Sequence, residues 1–262
     1  MISRILWRTY LAAFFVFLLG PVAFIALYSL NDAVYFQLPP PGLSLRWYGE
    51  FFDSRIFTRA LKNTLLLSTT VTVICLLFAV PTAHLVVRGH FRGRELLNNL
   101  ILSPLIMPGV VTGIAFLSAF GVLDIRDGFF RLTVAMTIFC LPFAVRAISA
   151  SYHGLNRQAE EAARNLGATR LQTWCKVLLP QLRPGLMAGG VFIFVETVDN
   201  FSINVFLADR ASKTLPIAAY EHIRDFDDPT VAAMATLLSI VTIALVALMD
   251  RLVGLDRFIG QK

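Results

Sequence analysis

The chain has 262 residues, of which 56% are hydrophobic and 15% charged, with a mean hydropathy of +0.69 and a formal net charge of +6. So apolar a composition excludes an ordinary soluble domain and places the chain in a bilayer. The positive charge calls for no nucleic-acid partner, because it collects on one set of the segments that join the apolar runs.

Runs of about 20 apolar residues mark six predicted spans, at roughly 9–30, 61–87, 98–120, 129–150, 186–207 and 231–253. Segments of that length satisfy their backbone groups only as helices. The predicted fold is therefore all-α: a polytopic membrane protein with six transmembrane helices, residues 1–262 forming one transmembrane domain. The first span follows Arg4 and Arg8, but its apolar run continues to Leu30 without a small-residue cleavage site, so it reads as a retained helix.

An outer segment, Asn31 to Ala60, carries Pro39-Pro40-Pro41 and then Leu45, Trp47, Tyr48, Phe51 and Phe52. Its aromatic content predicts a helix lying flat at headgroup level, or a contact for an external partner. The third span holds Pro104, Pro108, Gly109 and Gly113, a density that kinks a helix and permits close approach of a neighbour. Pro142 predicts a second kink in the fourth span. In the fifth, Glu196 and Asp199 share one helix face at three-residue spacing. Ionisable residues at membrane depth are costly and face a cavity or a partner. With Asn200, Ser202 and Asn204 they make a polar stretch that lines either a passage or a subunit interface. Thr214-Leu215-Pro216 and the acidic Asp225, Asp227 and Asp228 follow as an outer loop, solvated or docking a partner by charge.

The longest polar gap, 151–185, separates the fourth and fifth spans. Glu160 and Glu161 favour the start of a helix, where free N–H groups and the dipole attract negative charge. Gly167 is suited to the left-handed conformation that ends it after Leu166. A second helix runs from about Thr169 until Pro180 and Pro184 remove backbone donors. The predicted product is a rigid helical knob. Of the 23 Lys and Arg residues, 14 fall on the side that holds this gap, which is therefore the cytoplasmic side, and an even number of spans puts both termini there.

Glu161-Ala162-Ala163, then Gly167 and Ala168, then Val177 and Leu179-Pro180 resemble the EAA loop of ABC importer permeases, with Val177 where that family usually has Ile. Trp47-Tyr48, Phe91-Arg92-Gly93, Pro104, Pro108, Gly113, Pro142-Phe143, Asp199-Asn200-Phe201 and Thr214-Leu215-Pro216 extend the resemblance along nearly the whole chain, toward the spermidine/putrescine-type branch. The connection from Gly121 to Gly128 is shorter than the family pattern.

The resemblance implies the type I importer permease fold in a bacterial inner membrane. It implies two ATP-binding cassette ATPase subunits, a second homologous permease and a periplasmic substrate-binding protein as partners, with ATP and Mg held by the ATPases and no cofactor on this chain. Glu160, Glu161, Ala162, Ala163, Gly167, Ala168, Leu179 and Pro180 would then meet the ATPase. Glu196, Asp199, Asn200, Ser202, Pro108 and Gly113 would line the path of a small organic cation such as a polyamine.

No Gly-Lys pair and no HExxH, CxxC or GxSxG pattern occurs, so the sequence offers neither its own phosphate loop nor a catalytic set. An ion-driven secondary transporter, with Glu196 and Asp199 binding the coupling ion, is the alternative reading, and it leaves the EAA-like loop unexplained. Cys75, Cys140 and Cys175 are predicted to be free thiols.

Overall fold

A computed structural model describes residues 2–35, 41–155 and 157–253. Backbone groups inside a bilayer must pair within their own segment, and the regular elements among the described residues are helical apart from one isolated bridge between Asn31 and Leu43. In chain order the helices are α1 (Ile2–Tyr28), α2 (Arg46–Asp53), α3 (Arg55–Arg88), α4 (Arg94–Leu102), α5 (Gly109–Val122), α6 (Gly128–His153), α7 (Arg157–Asn165), α8 (Arg170–Thr173), α9 (Leu179–Gln181), α10 (Arg183–Asp199), α11 (Asn204–Leu207), α12 (Leu215–Asp225) and α13 (Thr230–Val253).

Four of these, α1, α3, α6 and α13, are long and apolar enough to cross a bilayer alone. The third and fifth predicted spans are not single helices. The segment Arg94–Ile106 meets α5 at 107°, and Arg170–Gln181 meets α10 at 65°; each bent pair counted as one span brings the total to six. The first break falls where Met107 and Pro108 are extended, with ψ of 134° and 136°. The fifth span was expected to run on to residue 207, but α10 stops at Asp199. Asn200 is extended, and its side-chain oxygen accepts the Ile203 amide at 3.0 Å, a local turn that competes with the helix. Pro142, by contrast, lies within the continuous helix α6.

The chain forms two compact units, Met1–Ala60 with Ala218–Ala244, and Leu61–Ile217 with Leu245–Lys262. In the first, α1 leaves Phe14, Phe15, Phe17 and Leu18 exposed, a surface that suits lipid. Helix α2 turns Trp47 and Phe51 inward, 1% and 2% exposed, so these two pack against the protein rather than presenting their rings at its surface. The Trp47 indole N–H donates to the Asn31 carbonyl at 2.6 Å, and the Tyr48 and Ser29 hydroxyls pair at 2.7 Å. Leu45 and Phe52 keep the exposed positions. Pro39 and Pro40 lie outside the described residues.

In the second unit every fourth residue of α3, from Leu67 through Val71, Cys75 and Ala79 to Ala83, is fully buried, as is much of one side of α6 (Leu132, Met136, Cys140, Ala144 and Ile148). Helix α10 reaches this core through Gly185 and Gly189. A methyl group on Gly185 would lie 2.8 Å from the Ala147 carbonyl oxygen and 3.0 Å from the Ile148 Cα, backbone atoms that cannot swing aside. Gly185→Ala is expected to cost about 1–3 kcal/mol by forcing α6 and α10 apart. The check is a lower unfolding temperature in detergent; Gly190→Ala, whose methyl would meet the flexible end of Leu76 at 3.4 Å, is the control expected to leave it unchanged.

Of the segment expected to form a loop after the fifth span, Thr214 and Leu215 are fully buried, Leu215–Asp225 is the helix α12, and Asp225 and Asp227 are exposed. The Leu215 amide donates to the Thr64 hydroxyl at 2.7 Å, and the Asn63 amide donates to the carbonyls of Ala211 and Lys213. Asp209 is the hub of this loop. Its carboxylate accepts the Gly128 amide at 3.0 Å, the Ala211 amide at 2.9 Å, and both the amide and the hydroxyl of Ser212 at 2.8 Å. Partial burial works against ionisation, but the Ser212, Gly128 and Ala211 hydrogen bonds prevail and hold the group below the ordinary carboxylate value. A depressed folded-state value means that the stabilisation is complete above the unfolded value near 4 and is lost as pH falls through the folded one. Asp209→Asn is therefore expected to lower stability by about 1 kcal/mol at neutral pH and to flatten the loss below about pH 4. Thermal unfolding in detergent across that range is the measurement.

Candidate functional site

The polar gap folds as the sequence predicts for its first half. Helix α7 carries Glu160 in its first turn and ends in a capping motif built on Gly167, whose φ is +85°. The Gly167 amide bonds the Arg164 carbonyl at 2.9 Å, and the Ala168 amide reaches back to the Ala163 carbonyl at 3.0 Å. These are the two bonds of a Schellman cap, and its left-handed residue is strained for any side chain but glycine. Thr169 then opens α8 with a capping box: its hydroxyl accepts the Gln172 amide at 3.2 Å and the Gln172 side chain accepts the Thr169 amide at 2.9 Å.

The second half differs from a single helix ending at proline. A π-helical turn, Trp174–Leu178, interrupts it before α9, and Leu182 makes the bend into α10. Pro180 and Pro184 lack the N–H that would bond the carbonyl one turn back, and separately the Gln181 side-chain amide donates to the Val177 carbonyl at 2.9 Å. Leu178 and Leu182 anchor this stretch in the core, Leu179 is half-buried and Pro180 is exposed.

Two adjacent glutamates point to different fates. Glu160 is held: Arg88 donates to one carboxylate oxygen at 3.0 Å and Arg164 to the other at 2.9 Å. Glu161 is exposed and has no ion-pair partner among the described residues. Ala162 is exposed, while Ala163 and Ala168 are half-buried behind it. Leu166, 90% exposed, and Leu171, 73% exposed, stand at the apex. Sequence reasoning passed over both, although an apolar residue on either side of a glycine cap in a polar loop is a signal for a docking surface. Cys175 is an exposed free thiol, and Cys75 and Cys140 are buried free thiols.

Two of the stretches named for a passage meet at the start of α5. Pro108 caps α5, and the next residue, Gly109, leaves room for the Ser202 side chain, whose Cβ would lie 2.9 Å from an added methyl. One turn on, Gly113 is covered by Ile203 and by the Phe206 ring. At the end of α10, Glu196 is half-buried and accepts the Asn200 side-chain amide at 3.4 Å, while Asp199 is exposed. Asn204 is fully buried, and neither atom of its amide has a partner among the described residues. Glycines at 109 and 113 thus let α5 lie directly against the polar stretch that follows α10.

The four straight and two bent apolar segments make the described chain a multi-pass membrane protein. The chain belongs to the family of binding-protein-dependent transport system inner membrane components, whose profile matches residues 75–255. It is a multi-pass inner-membrane protein of that family.

It is 26% identical over 261 residues to the spermidine/putrescine transport system permease protein PotC of Escherichia coli (strain K12), covering 100% of this chain and 98% of that one. It is 29% identical to the putrescine transport system permease protein PotI of the same strain, over 86% of this chain and 82% of that one. The strain's sulfate transport system permease protein CysT is 30% identical over 75% of this chain and 76% of its own. Among solved structures, a bacterial ABC transporter involved in the import of the acidic polysaccharide alginate superposes with a TM-score of 0.76 at 19% identity, over 95% of this chain and 96% of that chain. The MetNI methionine ABC transporter superposes at 0.64 and 19% identity, over 76% and 94%. The fold is that of ABC importer permeases.

Proposed function

We propose that this permease forms half of the translocation pathway of an ABC importer for a small organic cation of the polyamine class. In this reading two cytoplasmic ATPase subunits grip the hairpin 151–185, a second homologous permease completes the pathway, and a periplasmic binding protein delivers the solute. ATP and Mg reside in the ATPases. Both termini face the cytoplasm, on the basic side of the membrane.

The hairpin carries the proposal. A rigid, doubly capped element exposes two leucines and a glutamate beside small alanines, the features of a surface made to enter another protein's groove. Nucleotide closing the ATPases and loaded binding protein outside would bias the same pair of states, inward-open and outward-open. The polyamine assignment rests on the end-to-end match to polyamine permeases and on the Glu196 and Asp199 carboxylates.

Purification of the tagged chain from its native membrane in mild detergent, followed by mass spectrometry, tests the assembly. Recovery of an ATPase, a second six-span subunit and an external binding protein is the expected result. Recovery of the chain alone, under conditions that preserve other transporter complexes, would sink the proposal.

A further inference from the structure

The last turn of α3 grips the coupling hairpin at two points. His84 and Arg88, four residues apart, share one face of the helix. The His84 ring nitrogen Nδ1 pairs with the Tyr152 hydroxyl at 3.2 Å, at the end of α6 where the chain leaves for the hairpin. Arg88 reaches past the Tyr152 ring, its guanidinium 6.0 Å from the ring centroid, and bonds Glu160 at 3.0 Å in the first turn of α7. The Arg88 and Glu160 side chains are only 15% and 14% exposed. Exposed ion pairs elsewhere in the chain, such as Arg126 with Asp124 at 86% and 77%, are of a different kind. Partial desolvation strengthens the attraction and makes a lone partner costly.

The rest of the neighbourhood argues for a mechanical role. Arg164 closes on the other oxygen of Glu160, so the carboxylate is held from two helices and cannot turn toward a docking protein. A cavity of about 320 Å³ lies beside the pair, lined by His84, Arg88, His90, Glu160, Glu161 and Arg164. Glu161, on the same short helix, has no ion-pair partner among the described residues. Helix α3 is a continuous 34-residue element whose buried stripe ends at Ala83, one residue before the grip begins. A displacement of α7 is therefore passed to a helix packed through the core of the same unit.

We propose that Arg88 and Glu160 are a positioning pair that transmits the movement of the coupling hairpin to helix α3. The inference rests on the reading that the hairpin docks an ATPase, and its test keeps the two apart. The complex containing Glu160→Gln, Arg88→Gln or both is reconstituted in liposomes, and three quantities are read: ATPase recovered with the chain, ATP hydrolysed, and solute transported per ATP.

A positioning pair gives unchanged ATPase recovery and a fall of about tenfold in solute transported per ATP for either single variant. The double variant is no worse than the worse single one, because both lose the same contact. Arg88→Lys, which keeps the charge and the fold, recovers transport per ATP to within a few-fold of the wild type. A merely structural pair lowers the amount of complex and leaves the ratio alone, and that outcome overturns the inference. So do additive effects of the two substitutions, or Arg88→Lys and Glu160→Asp complexes that assemble but stay as poorly coupled as the Gln variants. Failure of the wild-type chain to bring down an ATPase overturns the underlying reading instead.

Discussion

Glu161→Lys is expected to abolish coupled transport while leaving the permease folded and inserted. The two halves of that expectation come from different observations. The hairpin is held by interactions in which the Glu161 side chain takes no part: the Gly167 cap, the Thr169–Gln172 capping box, and the Glu160 bonds to Arg88 and Arg164. Reversing an exposed charge that has no ion-pair partner among the described residues changes folding stability by about 0.5 kcal/mol.

At a protein interface the same reversal has a much larger effect. A carboxylate that meets a cationic partner is replaced by an ammonium that repels it, and losing one member of a desolvated charge pair costs about 2–5 kcal/mol. That corresponds to a drop of at least about thirtyfold in transport at limiting ATPase concentration. Transport assays in vesicles, alongside the amount of inserted chain, make the check, and a transport rate within twofold of wild type would remove Glu161 from the coupling surface. Leu166→Asp tests the same surface by its apolar part and is expected to fail in the same assay.

The parts of this protein that could be read from sequence are those fixed by neighbours in the chain. The hairpin is the clearest case. Its acidic start, its glycine stop and its threonine cap all act over three to five residues, so local rules place them, and the positive φ of Gly167 and the capping bonds of Thr169 follow. The broken third span was legible for the same reason, since Pro104 and Pro108 act on their own turns. The position of the break at residues 107–108 was not, because a proline can also sit inside a helix, as Pro142 does in α6.

What local rules could not supply was any choice made by a distant partner. Trp47 reads from sequence as a surface aromatic, but its indole donates to the Asn31 carbonyl and its ring is buried. Thr214 and Leu215 read as a solvated loop, yet Thr64, 151 residues from Leu215 in sequence, takes the Leu215 amide and buries them. Glu160 was placed on the coupling surface together with Glu161, and only the structure separates the two, by setting Arg88 against Glu160 from 72 residues away. Gly185 and Gly189 are a different matter. Small residues four apart in an apolar run are a known mark of close helix contact, and the signal was present in the sequence without being used.

The second large effect concerns the solute. Joint replacement of Glu196 by Gln and Asp199 by Asn is expected to lower polyamine transport by about tenfold or more. Of the two, Glu196 is half-buried and accepts the Asn200 side-chain amide, six residues before Ser202, which packs against Gly109 of α5. A polyamine carries several ammonium groups, and a carboxylate in a poorly solvated passage offsets part of the cost of stripping their water.

The amide replacements keep size and hydrogen-bonding capacity and remove only charge, so the loss reports electrostatics rather than packing. Sulfate makes the sign informative. If the true solute is an anion, as the name of the CysT relative indicates for its own system, removing two negative charges raises transport or leaves it unchanged. Uptake of labelled putrescine and labelled sulfate by the same vesicles, with ATPase recovery as the assembly control, therefore decides between a cation passage and a structural pair. Unaltered putrescine uptake by an intact complex would assign both carboxylates to the contact with the second permease.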